Sequence, residues 1–188
     1  MMVFGPSTGT GQYRGKRVLD VAIALVLLLV IGPSWLVGLV ILAFAERNLP
    51  LSIILAAGVR RVPLRLPFLN VRTPKGRGWL RRITFSNPSL HRAFIVFPQL
   101  AFVLAGKLCF VGPTPHQLRR SLFLEQQFPS YARRLEAKPG LISPRALAID
   151  SRSERLGIDI ETLYLDRASL SFDLWLIWRM MIDKGRQL

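Results

Sequence analysis

The sequence predicts a mainly α-helical protein with minor β structure. We expect an N-terminal re-entrant membrane helix-break-helix, followed by a small cytosolic helical domain with amphipathic interfacial helices. Two observations predict this fold class. Residues 21–45 form one run of uncharged, mostly apolar residues. Later segments place apolar residues at helical spacing between loops that are rich in proline and glycine.

Composition indicates how the chain is divided. The 188 residues are 51% hydrophobic, yet the formal net charge is +15. A membrane-bound protein with a basic cytosolic face has both properties. We therefore expect an N-terminal tail (1–13), a membrane hairpin helix (14–46) and a cytosolic domain (47–188).

The apolar run at 21–45 is long enough to cross a hydrocarbon core of ~30 Å as a helix. Its centre holds Gly32 and Pro33. Because proline removes a backbone donor and clashes with the preceding turn, we predict that the helix kinks or breaks there. Lys and Arg flank the run on both sides, and these residues favour the cytosolic side. A helix that enters the membrane, breaks and returns satisfies both flanks; a kinked single span is the alternative.

The rest of the chain predicts short elements. The apolar runs at 51–57 and 66–71 are too short for periodicity to separate strand from helix. The last helical segment carries Trp175 and Trp178, which predicts an amphipathic helix at the bilayer interface; ordinary helix packing is the alternative. Helical spacing is found over 88–106, 116–137 with a break at Pro129-Ser130, and 157–183, and loops are predicted at 111–115 and 138–144.

Several classes of protein are excluded or disfavoured. The single cysteine, Cys109, excludes a disulfide scaffold and a cysteine-based zinc site. Two histidines, His91 and His116, give a metal site little support. The basic residues are not interleaved with stacking aromatic residues as in single-strand binders, so we expect no nucleic acid partner.

Acidic residues are absent from the middle of the chain. Residues 47–124 contain no Asp or Glu, although they hold 13 of the 26 Lys and Arg residues. This part of the chain therefore offers no carboxylate as a nucleophile or as a ligand of a hard cation.

Five short motifs occur in order along residues 14–180. They are Lys16-Arg17 with Asp20, followed by Pro33; Arg72-Thr73; Pro98-Gln99-Leu100 leading to Val111-Gly112-Pro113 and Pro115; Tyr131 and Arg134 with Lys138-Pro139-Gly140; and Tyr164, Ser169 and Asp173. Together they resemble the bacterial sugar transferases, the monotopic polyprenyl-phosphate phosphoglycosyl transferases. Each motif is weak alone, whereas five at the right spacing are a strong signal.

The resemblance implies a specific chemistry. Family members move a sugar 1-phosphate from a nucleotide sugar to a polyprenyl phosphate at the cytosolic face of the membrane. An Asp-Glu pair just before the Pro-Gln-Leu motif acts, with the Asp as nucleophile and the Glu supporting Mg²⁺. The loop framework of the resemblance is formed here by Pro98, Gln99, Gly112, Pro113 and Pro115.

This sequence departs from the family at the reacting positions. The Asp-Glu positions hold Ile95 and Val96, and neither side chain can attack phosphorus, ligate Mg²⁺ or carry a proton. Phe102, Lys107 and Thr114 stand where the family has Asn, Asp and Arg. Since the Gly, Pro and Leu framework persists, we predict that the fold is kept and the reaction lost, with no metal or cofactor bound.

Basic side chains are the candidates for binding. Guanidinium groups hold phosphate through paired hydrogen bonds, and a basic face towards anionic lipid is the alternative. The residues predicted to bind phosphate or lipid headgroups are Arg72, Arg119, Arg120, Arg134 and Lys138.

We expect a location at the cytoplasmic face of the bacterial inner membrane. The expected partners are its anionic lipid, a polyprenyl phosphate, and an active sugar transferase paralogue or another polysaccharide-assembly protein. Two other functions remain open. One is an active transferase that uses relocated acids, with Glu125, Asp159 and Glu161 as candidates. The other is a basic membrane protein that binds nucleic acid.

Overall fold

The computed structural model describes residues 11–46, 51–69, 97–147 and 153–182. The mainly helical fold with minor β structure is confirmed. The helices of the described part are α1 (Lys16–Glu46), α2 (Leu100–Leu104), α3 (Leu118–Gln127), α4 (Tyr131–Arg134), α5 (Glu154–Arg167) and α6 (Leu170–Ile182). Its strands are β1 (Leu51–Ala57), β2 (Pro63–Leu69), β3 (Cys109–Val111) and β4 (Gly140–Ile142), with 3-10 turns at Val59–Arg61, Phe97–Gln99 and Pro144–Leu147.

The apolar run forms one continuous helix. α1 extends from Lys16 to Glu46 with Pro33 inside it, so the predicted break at Gly32-Pro33 does not divide the helix. Proline removes a single backbone donor, and the Ser34 hydroxyl donates to the Ile31 carbonyl oxygen at 2.8 Å within the same turn. The re-entrant course of this helix stays a prediction.

One side of α1 packs on the domain and the other is open. Ala24 is fully buried, whereas Val18, Leu29 and Phe44 are 72%, 76% and 83% exposed. Among the described residues, the segment Lys16–Val40 alone is long and apolar enough to cross a membrane. An apolar surface of this extent indicates that lipid or another protein covers it.

The short apolar runs are strands. β1 and β2 form an antiparallel hairpin in which Ile54 pairs with Leu66. The Ala57 amide donates to the His116 carbonyl oxygen at 2.9 Å, away from β2. Hydrogen-bonded and non-hydrogen-bonded pairs alternate along antiparallel strands, so the backbone nitrogens of Pro63 and Pro67 also face away from β1. Proline has no N–H to donate, and β2 therefore tolerates two prolines without losing a hydrogen bond to β1.

Two predicted segments are wrong in detail. The loop predicted at 138–144 contains strand β4. The helical segment predicted at 157–183 consists of two helices, α5 and α6, and the first of them starts earlier than predicted, at Glu154. Ala168 leaves the helical conformation at ψ 127, and the Ser169 hydroxyl accepts from the Phe172 amide at 3.2 Å, which starts α6. The break predicted at Pro129-Ser130 is confirmed by the gap between α3 and α4.

β3 and β4 run parallel and bring two distant motifs into backbone contact. The Gly112 amide donates to the Ile142 carbonyl oxygen and the Gly140 amide to that of Pro113, both at 2.9 Å. A Cβ on Gly140 would lie 2.2 Å from the Gly112 nitrogen. Glycine at this position is therefore required by the close approach of the two loops.

The core connects α1 with the C-terminal helices. Ala24 of α1, Val103 of α2, Leu165 of α5 and Leu176 of α6 are fully buried in one cluster. Complete burial of a side chain such as Leu165 stabilises the fold by roughly 1.5–3 kcal/mol. The apolar helix is thus part of the domain core along one side.

We expect Gly140→Ala to lower the free energy of unfolding by more than about 3 kcal/mol, because its methyl group would lie 2.2 Å from the Gly112 nitrogen and 2.6 Å from the Gly112 Cα. Both clashes are with backbone, so a strand has to move. Thermal unfolding of the full chain in detergent, followed by circular dichroism, measures the loss.

Gly32→Ala is the matched control. Its Cβ would lie 3.8 Å from the Phe97 ring, an ordinary van der Waals contact. We expect a change within about 1 kcal/mol, since alanine is the better helix former. Equal stability of the Gly140→Ala variant and the unchanged chain would contradict the close approach of Gly112 and Gly140 between the parallel strands β3 and β4.

Candidate functional site

A buried ion pair joins the start of α1 to α6. Lys16 Nζ lies 2.5 Å from Asp173 Oδ2, and both side chains are buried. Lys16 also donates to the Tyr164 hydroxyl at 3.0 Å, which donates to Asp173 Oδ1 at 2.7 Å. Tyr13 donates to Asp173 Oδ2 at 2.9 Å. Burial, together with the Asp173 charge, raises the pKa of Tyr13 and of Tyr164 far above that of an ordinary phenol, so both hydroxyls remain donors.

Two further charged side chains, those of Arg17 and Asp20, attach the start of α1 to the domain. Asp20 Oδ1 accepts a hydrogen bond from the Phe110 amide at 2.9 Å. The Arg17 guanidinium donates to the carbonyl oxygens of Val103 and Leu104, where the C-terminal end of α2 favours a cation. The three charged residues of the first motif, Lys16, Arg17 and Asp20, thus contact three different parts of the domain.

A second buried cluster is centred on Glu161. Its Oε1 accepts from the Thr114 amide, the Thr114 hydroxyl and the Ser143 hydroxyl, each at 2.8 Å. Arg134 Nη2 lies 2.9 Å from Glu161 Oε2. It donates to the Thr114 carbonyl oxygen at 2.6 Å, so its contact with Oε2 is an ion pair without an aligned hydrogen bond. The cluster holds the Val-Gly-Pro-Thr-Pro loop to α4 and α5.

His116 in this cluster is neutral. Its Nδ1 lies 2.9 Å from Arg134 Nη1, and because a guanidinium only donates, Nδ1 accepts and the ring proton is on Nε2. Burial, and then the charge of Arg134, lower the pKa of His116 to about 3. The Tyr131 ring lies beneath the Arg134 guanidinium at 4.6 Å, and its hydroxyl donates to Ser121 at 3.0 Å. With Nδ1 occupied by Arg134, His116 is not poised as a base or a nucleophile at that atom.

Ile95 and Val96, at the positions where the resemblance implies the Asp-Glu pair, lie outside the described residues, as does Arg72. The description resumes at Phe97, which is buried and stacks on Trp35 of α1 with ring centroids 5.0 Å apart. Val96 is therefore joined directly to a residue that packs against the middle of the apolar helix.

The framework positions lie where the resemblance implies loops. Pro98 and Gln99 are half-buried in the turn before α2, and Gly112, Pro113 and Pro115 follow β3 with the first two buried. Gly112 is in backbone contact with β4, as described above. Gly112 and Pro113, which follow β3, thus hold strands β3 and β4 together through backbone hydrogen bonds.

The basic residues predicted to bind phosphate lie in different settings. Arg119 and Arg120 are exposed on α3, and Arg120 pairs with Glu154. Arg134 is buried in the Glu161 cluster. Lys138 is half-buried beyond α4, where its carbonyl oxygen accepts from the Cys109 thiol at 3.2 Å. A phosphate at Arg134 would have to displace its internal partners, and the binding role of these residues stays a prediction.

Two of the three carboxylates that were candidates for relocated chemistry, Glu125 and Glu161, are engaged in the fold. Arg61 binds Glu125 with two hydrogen bonds, which lower the pKa of that carboxyl group. Glu161 is buried and Asp159 is exposed on α5. In the described ranges no group of three or more His, Cys, Asp or Glu side chains is placed to hold a metal ion. The absence of a Mg²⁺ site therefore stays a prediction.

Sequence reasoning missed the partners that complete these clusters. Lys16 and Asp173 are 157 positions apart, and no local pattern connects them. Tyr13 and Ser143 belong to no motif. The motif residues themselves are the available signal, because Lys16, Tyr164 and Asp173 all belong to motifs of the sequence.

We expect Asp173→Asn to lower the free energy of unfolding by about 3–5 kcal/mol, since it leaves the Lys16 ammonium buried without a counter-charge. Asp166→Asn removes the exposed pair with Arg133 and should change it by less than about 1 kcal/mol. Thermal unfolding of both variants in detergent makes the comparison. Equal losses would show that the buried pair does not hold α1 to α6.

His116 should make stability depend on pH. The pKa of His116 is about 3 when folded against 6.5 for an ordinary histidine, so between these values the unfolded chain binds the extra proton. The contribution of neutral His116 to the free energy of unfolding is fully present above pH 6.5. Below that pH the free energy of unfolding falls by up to about 1.4 kcal/mol for each pH unit. We expect His116→Gln, whose amide oxygen can still accept from Arg134, to flatten the Tm profile between about pH 7 and about pH 5. Parallel profiles would contradict the prediction.

Comparison with known proteins agrees with this framework. The model of the family described as bacterial sugar transferase matches residues 88–184. A curated relative, the UDP-glucose:undecaprenyl-phosphate glucose-1-phosphate transferase of Caulobacter vibrioides, is 28% identical over 189 aligned positions, covering 93% of this chain and 68% of the relative. Residues of the first, fourth and last motifs lie in the two buried clusters. Because the family match extends over more than half of the chain, the chain belongs to the bacterial sugar transferase family.

Proposed function

We propose that this chain is a membrane-associated sugar transferase homologue of polysaccharide or glycoconjugate biosynthesis that has lost the transfer reaction and acts as a binding or regulatory partner. The observation that carries this proposal is the acid-free stretch 47–124, in which Ile95 and Val96 stand at the positions of the Asp-Glu pair. Two aliphatic side chains supply no nucleophile and no ligand for a hard cation.

The other departures from the family support the proposal because they contact the chain itself. Lys107 Nζ lies 5.7 Å from the centre of the Phe102 ring, so two of the changed positions form a cation–π pair with each other. The third, Thr114, donates twice to Glu161. The side chains at these three positions thus make contacts that stabilise the fold.

The candidate relocated acids give little support to an active enzyme. Glu161 is fully buried and accepts three hydrogen bonds through one oxygen. Glu125 is paired with Arg61 on the surface. Asp159 is exposed, yet in the described ranges it belongs to no group of three or more His, Cys, Asp or Glu side chains placed to hold a metal ion.

The proposed location is the cytoplasmic face of the bacterial inner membrane. The exposed apolar side of α1 supports it, and so does α6, where Trp175 and Trp178 are 39% and 57% exposed beside the exposed Leu170 and Leu174. Tryptophan side chains favour the membrane–water interface. We therefore place α6 along the bilayer surface, as an interfacial helix next to α1.

The proposed partners follow from family and charge. The curated relative acts on undecaprenyl phosphate, according to its name, so a polyprenyl phosphate is the ligand that a retained binding surface would take. The net charge of +15 favours anionic inner-membrane lipid. An active sugar transferase paralogue or another polysaccharide-assembly protein would supply the missing chemistry.

We expect the purified full chain in nanodiscs to show no Mg²⁺-dependent turnover of nucleotide sugars with undecaprenyl phosphate. The double variant Ile95→Asp/Val96→Glu should remain inactive, because Phe102, Lys107 and Thr114 still differ from the family. Radiolabelled sugar phosphate recovered in the lipid phase is the measurement, with an intact sugar transferase as the positive control.

Turnover by the unchanged chain that disappears in Asp159→Ala or Glu125→Ala would overturn the proposal and assign the chemistry to a relocated acid. Both side chains are outside the buried clusters, so these variants should fold. Full activity of the double variant alone would show instead that the loss is confined to the Asp-Glu positions.

A further inference from the structure

The turn of the β1–β2 hairpin has an unfavourable backbone. Arg60 has φ 53 and ψ 37, and Arg61 has φ 64. The Val62 amide donates to the Val59 carbonyl oxygen at 3.0 Å, which closes a two-residue turn of the type I′ class. Such turns favour Asn and Gly, because side chains with a Cβ are crowded at positive φ. Two consecutive arginines are an unusual choice at these positions.

Arg61 has a partner within the fold, and the side chain of Arg60 has none among the described residues. Arg61 binds Glu125 of α3 through two hydrogen bonds. The Arg60 amide donates to the Leu135 carbonyl oxygen at 2.7 Å, whereas its side chain is exposed. In the described part of the chain no side-chain contact offsets the positive φ of Arg60, and strain of this kind marks functional positions. The exposed Arg60 guanidinium is therefore accessible to a binding partner.

Exposed apolar side chains lie on the elements next to this turn. Val62 is 62% exposed, and Leu122 on α3 is 48% exposed. Leu122 lies one helical turn before Glu125, so it is on the side of α3 that receives Arg61. Arg119, also exposed, is one turn further back. We call Arg60, Val62, Arg119 and Leu122 the turn patch.

We infer that the turn patch rests on an anionic lipid surface, with Arg60 bound to headgroup phosphate and Val62 and Leu122 entering the interface. Exposed apolar side chains between guanidinium groups are the chemistry of interfacial binding. The acid beside the patch, Glu125, is already paired with Arg61. The inference rests on the proposed membrane location and adds a contact that would orient the domain.

The test uses the full chain in nanodiscs of neutral or anionic phospholipid. Val62→Cys carries an environment-sensitive fluorophore, and quenching by spin-labelled lipid reports contact with the bilayer. Cys109 is buried and its pKa is raised to about 12, so a maleimide labels the introduced thiol. Leu163→Cys, at an exposed position on α5 outside the patch, is the control site.

We expect the Val62→Cys probe to be quenched in anionic nanodiscs and about fivefold less in neutral ones, with no such difference at Leu163→Cys. Arg60→Asn should abolish the difference, while its turn remains intact because Asn tolerates positive φ. Arg60→Lys should keep most of it, since the charge remains. Added salt should weaken the contact.

Three outcomes would overturn the inference. An unquenched Val62→Cys probe in a chain that still floats with the nanodiscs places the patch away from lipid and leaves the proposed location standing. Quenching that is equal in both lipids and unchanged in Arg60→Asn removes the role of charge. A probe that becomes shielded only when an acidic protein is added assigns the patch to that protein. A chain that does not float at all contradicts the proposed location itself.

Discussion

The ion pair between Lys16 and Asp173 is the interaction on which the arrangement of the molecule depends. It joins the first turn of an apolar helix to a helix near the other end of the chain, inside the core. Separating the buried Lys16 ammonium from its carboxylate would cost several kcal/mol of stability. The first turn of α1 therefore stays attached to the domain. Arg17 and Asp20 extend the attachment by one turn, and beyond it the apolar side of α1 is free to meet a membrane.

The same contact explains how the motifs of a transferase can outlast its chemistry. Lys16 of the first motif needs Tyr164 and Asp173 of the last, and Gly112 needs Gly140. Such residues stabilise one another across the chain whether or not a reaction takes place. Retained motifs therefore report the fold, whereas the resemblance assigns the reaction to a separate Asp-Glu pair, at whose positions this chain has Ile95 and Val96. This division makes a non-catalytic member physically reasonable.

How far the sequence predicts the structure depends on the range of the interaction. The apolar helix and the break at Pro129-Ser130 were predictable, because they follow from local composition. Strand β4 was not, since three residues carry no periodicity and Gly140 is explained only by the backbone it touches. The sequence favoured a helix broken at Pro33, and the continuous α1 agrees with the alternative of a single span, because a long apolar helix tolerates one lost donor. In the candidate site, the motifs identified the participants and the contacts assigned their roles.

The proposed loss of the reaction involves more than two side chains. Thr114 presents its amide and its hydroxyl to the same oxygen of Glu161, and its carbonyl oxygen accepts from Arg134. An arginine at this position could still offer the amide, yet it has no hydroxyl to place at the buried oxygen, and its own charge would enter beside Arg134. The loop and the cluster behind it therefore fit a short polar side chain. Under the proposal, restoring the family residues would require the Glu161 cluster to rearrange as well as new acids before Phe97.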